Sequence, residues 1–256
     1  MENENFPSVF TKKVLVTPSM CDATASLSRT STFALFQDLA SEHAEKIGVG
    51  GDAMTARGLF WLTAHVRVEF FKKAHMMLEM TAETWPADYG PNDFRCYRYY
   101  RLTSGEDCLA LGKSMWAVSD VKNGGVCRIA DAGFPAGFPF SPQVVCPDPL
   151  QRFTDHFTQD DVVCTHTVRA SDTDFGGHMN NVAYIRVLLD SFSSKELAGM
   201  DIASLEIRYA HPCYEGQQLS VCRRRVENGW MLAVRREGEK ASAIAQLKLR
   251  GNQTDF

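Results

Sequence analysis

Two stretches of the chain carry the same rhythm of apolar and polar positions. Phe33, Phe36, Ala40, His43 and Ile47 recur at spacings of 3 and 4, and Gly48 follows. That spacing predicts an amphipathic helix with a glycine stop. Val182, Ile185, Leu188, Leu189 and Phe192 predict a second helix. Each helix follows a strand and a polar turn, and alternating segments come after it. Residues 64–71 place Val66, Val68 and Phe70 on one face; residues 204–210 do so with Leu205, Ile207 and Tyr209. That is strand periodicity. Strands 94–102 and 109–118 are joined around Ser104-Gly105-Glu106. Strands 221–227 and 230–236 meet at Asn228-Gly229, a type I′ turn signal. The last strand is 241–249.

The halves also align residue by residue. Val16 matches Val168, Ser19 matches Ser171, Asp22 matches Asp174 and Asp38 matches Asp190, all 152 positions apart. Further on, Val68 matches Ile207 at 139, so the first half carries 13 extra residues between helix and strand. Each half is therefore an α+β unit, one long helix on an antiparallel sheet. Between them, residues 133–149 hold five of the ten prolines and exclude a regular helix or inner strand. Phe134, Phe138 and Phe140 imply that this connector packs on the body. The expected division is an N-terminal unit (1–121), a connector (122–158) and a C-terminal unit (159–256).

Composition narrows the classes. The 256 residues are 45% hydrophobic and 23% charged, ordinary for a globular chain. A net charge of −4 argues against a nucleic-acid binder. No 18-residue apolar run is present, so no membrane span is expected. The acidic, polar start lacks the basic and apolar parts of a signal peptide. The eight cysteines are scattered and never form C-x-x-C, which suits reduced thiols in a cytoplasmic protein. No metal, nucleotide or serine-hydrolase motif occurs, so no cofactor and no metal are expected.

Chemistry concentrates in residues 171–181, SDTDFGGHMNN, between a strand end and a helix start. Each residue has an ordinary reading. Asn180 or Asn181 is an N-cap, Gly176-Gly177 permits a tight turn, and Asp172 serves turn chemistry. Together they offer more. A carboxylate, two glycines and a histidine precede a helix N-terminus, whose free N–H groups can stabilise an oxyanion. A carboxylate there can deprotonate water or attack a carbonyl. A thiol leaves with a pKa near ~8.5, so a thioester needs little acid assistance.

The segment D-T-D-F-G-G-H-M-N-N-x-x-Y resembles the active-site segment of hotdog-fold thioesterases. The whole layout resembles the acyl-ACP thioesterase family, including residues 36–50 (FQDLASEHAEKIGVG), the W-L-T-A-H-V-R-V strand and A-E-T-W-P at 82–86. The resemblance implies an α+β fold of two tandem hotdog units, each a long central helix wrapped by an antiparallel sheet. It implies hydrolysis of fatty acyl thioesters to free fatty acid and carrier thiol. Asp174 and His178 fall on the catalytic positions, with Asn180 and the Gly177 backbone N–H assisting. Gly176, Met179 and Asn181 are the candidates for substrate contact. Plant members carry Asn where this chain has Gly176. The family's acidic and Cys pair falls near Ala210 and His211, and neither type is preserved; His211 is a candidate for proton handling, and Cys213 lies two residues on.

In the first unit Ser26 replaces His178 and Ser28-Arg29 replaces Asn180-Asn181. That unit is expected to shape the acyl pocket, with Phe36 and Trp61 as candidates. The substrate partner is an acyl carrier protein or a CoA thioester. Arg95, Arg98, Arg101, Lys72-Lys73 and Arg223-Arg224-Arg225 are candidates for a basic face toward an acidic carrier. An acyl-CoA thioesterase and a non-catalytic acyl-thioester-binding hotdog protein are the alternatives. A monomer (pseudo-dimer) and a homodimer are both compatible with the duplication.

Overall fold

Ser28 opens the first long helix. Its hydroxyl accepts the Ser31 N–H at 2.9 Å, satisfying one of the orphan donors of a helix start. Helix α1 then runs Arg29–Ile47 and stops at Gly48, whose φ of +79° is a left-handed cap. The computed structural model describes residues 6–251; residues 1–5, on which the reading of a leaderless start rests, lie outside the described residues. Among the described residues, no helix is long and apolar enough to cross a membrane.

The chain divides into unit 1, Met1–Val66 with Phe71–Asp148, and unit 2, Arg67–Phe70 with Pro149–Phe256. Unit 1 contains β1 (Phe10–Leu15), α1, α2 (Gly51–Ala56), most of β2 (Leu59–Phe70), β3 (Glu79–Pro86), β4 (Cys96–Ser104), β5 (Asp107–Asp120) and β6 (Val126–Cys127). Its strands lie in the order β1-β3-β4-β5-β2, and β6 pairs with β5. The buried face of α1 packs on this sheet: Phe36 stacks on Tyr100 with centroids 4.5 Å apart. Gly112 makes that approach possible, since a Cβ there would sit 2.4 Å from Phe36 Cε2. Burial of a side chain like Phe36 contributes about 2–3 kcal/mol.

Unit 2 contains β7 (Val162–Thr167), α3 (Asn181–Leu189), α4 (Ser194–Ala198), β8 (Ile202–Tyr209), β9 (Gln218–Val226), β10 (Gly229–Arg236) and β11 (Ala241–Leu249). The strand order is β8-β11-β10-β9-β7. Helix α3 has only nine residues, so the long helix expected here is shorter than in unit 1. Ser191 and Ser193 follow it, and Ser193 caps α4 by accepting the Glu196 N–H. The β9–β10 hairpin also differs from expectation. Gly229 is paired with Val226, leaving Glu227-Asn228 as the loop. Only Gly229 has a positive φ, +140°, so a type I′ turn is not formed. Gly229 is needed in the strand instead, where a Cβ would meet Leu247 O at 1.9 Å.

The proline-rich segment packs as its aromatics implied. Phe134, Phe138 and Phe140 meet one another and Tyr89 within unit 1. In unit 2, Phe153 and Phe157 pack with Cys222, Ala233, Ala241 and Ile244.

Two buried polar groups matter to stability. In unit 1, His43 is fully buried, and its Nε2–H donates to Pro7 O at 2.9 Å. A carbonyl only accepts and a guanidinium only donates, so Nδ1 must accept from Arg98 at 3.1 Å. Burial first, and the Arg98 charge second, lower the His43 pKa to about 4. Arg98 is therefore a core residue and not part of a basic face. In unit 2, Arg67 Nε donates to Glu206 Oε2 at 2.7 Å, both side chains being buried. Glu206 Oε1 also accepts the Gln151 N–H at 2.6 Å.

Glu206→Ala strips the Arg67 charge of this carboxylate and is expected to cost about 3–5 kcal/mol. Calorimetry should show Tm falling by about 10 °C. His43 predicts a pH effect. It stays neutral in the folded chain down to about pH 4 but protonates near 6.5 when unfolded. Stability should therefore fall as pH drops through that window, because the unfolded state binds the extra proton. Urea titrations of His43→Gln should show a flatter limb between those values; an unchanged slope assigns the effect elsewhere.

Candidate active site

The turn between β7 and α3 is closed by its own main chain. The Asp174 N–H donates to His178 O at 3.0 Å, and the Gly177 N–H donates to Asp174 O at 3.0 Å. Gly177 has φ +76°, which a glycine accepts without strain. A bridge between Thr173 and Met179 flanks the turn. Closure sets the side chains of Asp174 and His178 side by side, Oδ1 to Nδ1 3.7 Å, both partly exposed. Asp174 Oδ1 accepts the Gly176 N–H at 2.8 Å. A Cβ at Gly176 would lie 3.0 Å from Asp174 Oδ1 and 3.2 Å from His178 Nε2. Both groups thus converge on the bare face of Gly176.

Helix α3 begins directly after the turn. Asn180 is its N-cap: Oδ1 accepts the Val182 N–H at 2.8 Å, while its own N–H donates to Asp172 O at 2.8 Å. The Gly177 N–H, expected from sequence as an oxyanion donor, is engaged by Asp174 O in the turn. Asn181, first residue of the helix, has an N–H with no hydrogen-bond partner among the described residues. That donor is available to a ligand oxygen at the positive end of the helix.

Two tyrosines seat the helix start on the strand end. Tyr209 OH donates to Asn181 O at 3.0 Å. Tyr184 OH accepts the Cys213 N–H at 2.9 Å and donates to His211 O at 3.4 Å. Burial, joined by Cys213, raises the Tyr184 pKa, and burial raises that of Tyr209. Both phenols stay protonated donors. Cys213 is fully buried, and its carbonyl accepts the Met179 N–H at 2.7 Å.

Beneath the turn lies Asp172, 1% exposed. Its carboxylate accepts from the Arg169 N–H and from His166 Nε2, each at 2.8 Å, and pairs with Arg186. Burial alone would raise its pKa; the Arg169 and His166 hydrogen bonds and the Arg186 charge outweigh it and hold the carboxyl below the usual range. His166 and Arg186 escaped the reading of the sequence.

The same chain path occurs in unit 1, 152 positions earlier. Asp22 N–H donates to Ser26 O, Ala25 N–H to Asp22 O, and Ser28 N–H to Met20 O. Ala25 holds the positive φ, +52°, that Gly177 holds in unit 2. Ser26 stands where His178 does, and its hydroxyl lies 3.2 Å from His75 Nδ1.

Comparison with known proteins decides the family. The model of the acyl-ACP thioesterase N-terminal domain matches residues 7–134, and that of the C-terminal domain matches residues 156–253. The chain belongs to the acyl-ACP thioesterase family. An acyl-[acyl-carrier-protein] hydrolase of Cuphea viscosissima is 26% identical over 202 residues, covering 75% of this chain and 48% of that protein. An oleoyl-acyl carrier protein thioesterase of Coriandrum sativum is 20% identical over 193 residues, 70% of this chain and 52% of the relative. The chain thus spans about half the length of the curated relatives it matches. Among solved structures, an acyl-ACP thioesterase from Bacteroides thetaiotaomicron superimposes with a TM-score of 0.83 at 20% identity, covering 98% of this chain and 100% of the other. The 12:0-ACP thioesterase from Umbellularia californica gives 0.81 at 17%, covering 95% and 98%. These likenesses establish the double hotdog, α+β fold of the family.

The remaining candidate residues of this family member are placed as follows. Met179 is buried and Asn181 half-buried. The His211 ring is exposed and makes no hydrogen bond or ion pair among the described residues; its backbone N–H donates to Ser242 O at 3.2 Å. Phe36 and Trp61 lie in unit 1, Phe36 stacked on Tyr100 and Trp61 donating its indole N–H to Val49 O at 2.8 Å. Much of the candidate basic face is engaged: Lys72 with Asp107, Arg101 with Glu83, Arg224 with Asp161, and Arg223 over Phe192 and Trp230. Lys73 and Arg95 are exposed. No group of three or more metal-ligating side chains occurs among the described residues, and all eight cysteines are free thiols.

The left-handed step yields a reciprocal prediction. Gly177→Ala is expected to destabilise by about 1 kcal/mol, because a Cβ resists that conformation. Ala25→Gly relieves the same strain in unit 1 and should be neutral or stabilising. Urea midpoints measure both; equal effects of the same sign would contradict the backbone account.

Proposed function

We propose that the chain hydrolyses fatty acyl thioesters, with acyl carrier protein as the carrier, to free fatty acid and carrier thiol. The observation that carries this reading is the pairing of Asp174 with His178 at 3.7 Å, on a main-chain-closed turn at the start of α3. Family membership supports acyl carrier protein over CoA as the carrier.

Asp174 acts as the general base. It takes a proton from water approaching over Gly176, and the hydroxide adds to the thioester carbon. His178 orients that water from its Nε2 side. The carbonyl oxygen becomes an oxyanion, held by the Asn181 N–H at the helix N-terminus. Collapse breaks the C–S bond and expels the thiolate, which needs little help at a thiol pKa near ~8.5. The proton on Asp174 passes to the thiolate or to solvent, restoring the base. The expected division of labour is part of this proposal: unit 2 carries the chemistry, and unit 1, with Phe36 and Trp61, carries acyl-chain preference. The free thiols support the reading of a reducing, cytoplasmic setting.

A thiol-release assay with acyl-ACP tests the reading. Asp174→Asn removes the base while keeping its shape, and kcat should drop by about 100- to 10,000-fold. Unchanged turnover in that variant would overturn the assignment. Tight acyl-thioester binding by the native chain without thiol release would favour a binding protein instead.

A further inference from the structure

Asp172 joins four pieces of unit 2 around the catalytic turn. Its carboxylate binds His166 on β7, the Arg169 N–H in the loop and Arg186 on α3; its carbonyl receives the N–H of the cap Asn180. Only Asp172 of this cluster is buried, His166 and Arg186 reaching solvent; such an ion cluster is a weak source of stability, because desolvation of the carboxylate offsets the attraction. The duplication supplies an internal control. The positions 152 earlier are Val14, Thr17, Met20 and Ala34, in place of His166, Arg169, Asp172 and Arg186. There the turn closes through the same main-chain bonds, Ser28 N–H reaching Met20 O at 2.9 Å. The backbone path therefore forms without the ions.

What differs above the turn is bracing. In unit 1, Thr24 binds Asp22 Oδ1 twice, through its hydroxyl at 2.6 Å and its N–H at 2.8 Å. In unit 2, Gly176 stands at the Thr24 position and gives Asp174 only its N–H. The glycine opens the approach to Asp174 and His178 and lacks the hydroxyl restraint that Thr24 places on Asp22. Gly176 offers Asp174 no side-chain restraint, and the polar side-chain network nearest the turn is the one around Asp172 on its other side.

We propose that Asp172, clamped by His166 and Arg186, is a positioning residue that holds the Asp174–His178 turn in register with the Asn181 N–H. This rests on the thioesterase reading above. Asp172 is itself buried beneath the turn and acts through the backbone it anchors. A misplacement of about 1 Å at a reacting group can cost about 100-fold in rate, so the clamp should act on turnover and leave binding nearly untouched.

The test transplants the unit 1 residues: His166→Val, Asp172→Met and Arg186→Ala together, beside Asp172→Asn alone. Thermal unfolding and steady-state acyl-ACP hydrolysis are measured for both and for the native chain. The triple variant should fold with Tm within a few degrees of native, since replacing a buried carboxylate and its ionic partners together, rather than one, leaves no uncompensated buried charge. Its kcat should fall about 100-fold, and that of Asp172→Asn about 10-fold, with KM within about threefold of native. Native kcat in the variants, or a loss confined to KM, overturns the proposal. A triple variant that does not fold overturns it too, by showing that the cluster holds the fold. Absence of hydrolysis by the native chain would defeat the thioesterase reading and this inference together, and is thereby distinguished from failure of the inference alone.

Discussion

One main-chain hydrogen bond, from the Asp174 N–H to the His178 carbonyl, makes the candidate site possible. It folds five residues into a turn and brings two side chains four positions apart to the same face. The side-by-side placement of Asp174 and His178 depends on that closure. The bond contains no side-chain atom, so the fold does not dictate which side chains it presents. Unit 1 closes the same bond between Asp22 and Ser26 and presents a serine in place of the histidine. The duplication thus separates a scaffold from the chemistry placed on it.

The differences between the two turns all favour access in unit 2. A threonine that clamps Asp22 becomes Gly176, and an alanine strained at positive φ becomes Gly177. The cap Ser28 becomes Asn180, whose side chain accepts the Val182 N–H. Rigidity is restored from outside the turn. Tyr184 and Tyr209 tie the helix start to the end of β8 and the Cys213 segment, and Asp172 ties it to β7. A site open above and held below can admit a thioester and still keep its carboxylate and imidazole in register.

Much of this was legible in the residue pattern, for physical reasons. A repeat of constant offset survives because strand, turn and helix must follow one another at fixed lengths: β1 and β7, and the starts of α1 and α3, all lie 152 positions apart. The buried face of α1 was legible because burial imposes a period near 3.6. The proline-rich connector was legible because proline forbids regular alternatives. What stayed hidden depends on contacts distant in sequence. His166 and Arg186 lie 6 and 14 positions from Asp172, and only the folded turn brings both to its carboxylate. The hydrogen bond of the Gly177 N–H to Asp174 O is set by turn closure, which composition does not encode. Arg98 was placed on a surface because strand parity does not say which face is buried; His43 and Thr84 accept it inside. The Asn228-Gly229 pair is a turn signal by residue type, but Gly229 serves a strand position where Leu247 O leaves no room for a Cβ, and Glu227-Asn228 form the loop.

The central claim is that Asp174 activates water in unit 2. A single turnover of acyl-ACP by excess protein in oxygen-18 water, with mass analysis of the fatty acid and of the peptide bearing Asp174, tests it most directly. A general base predicts labelled fatty acid in the first turnover and no label on Asp174. Unlabelled acid with label retained in the Asp174 peptide would show direct attack by the carboxylate and contradict the claim.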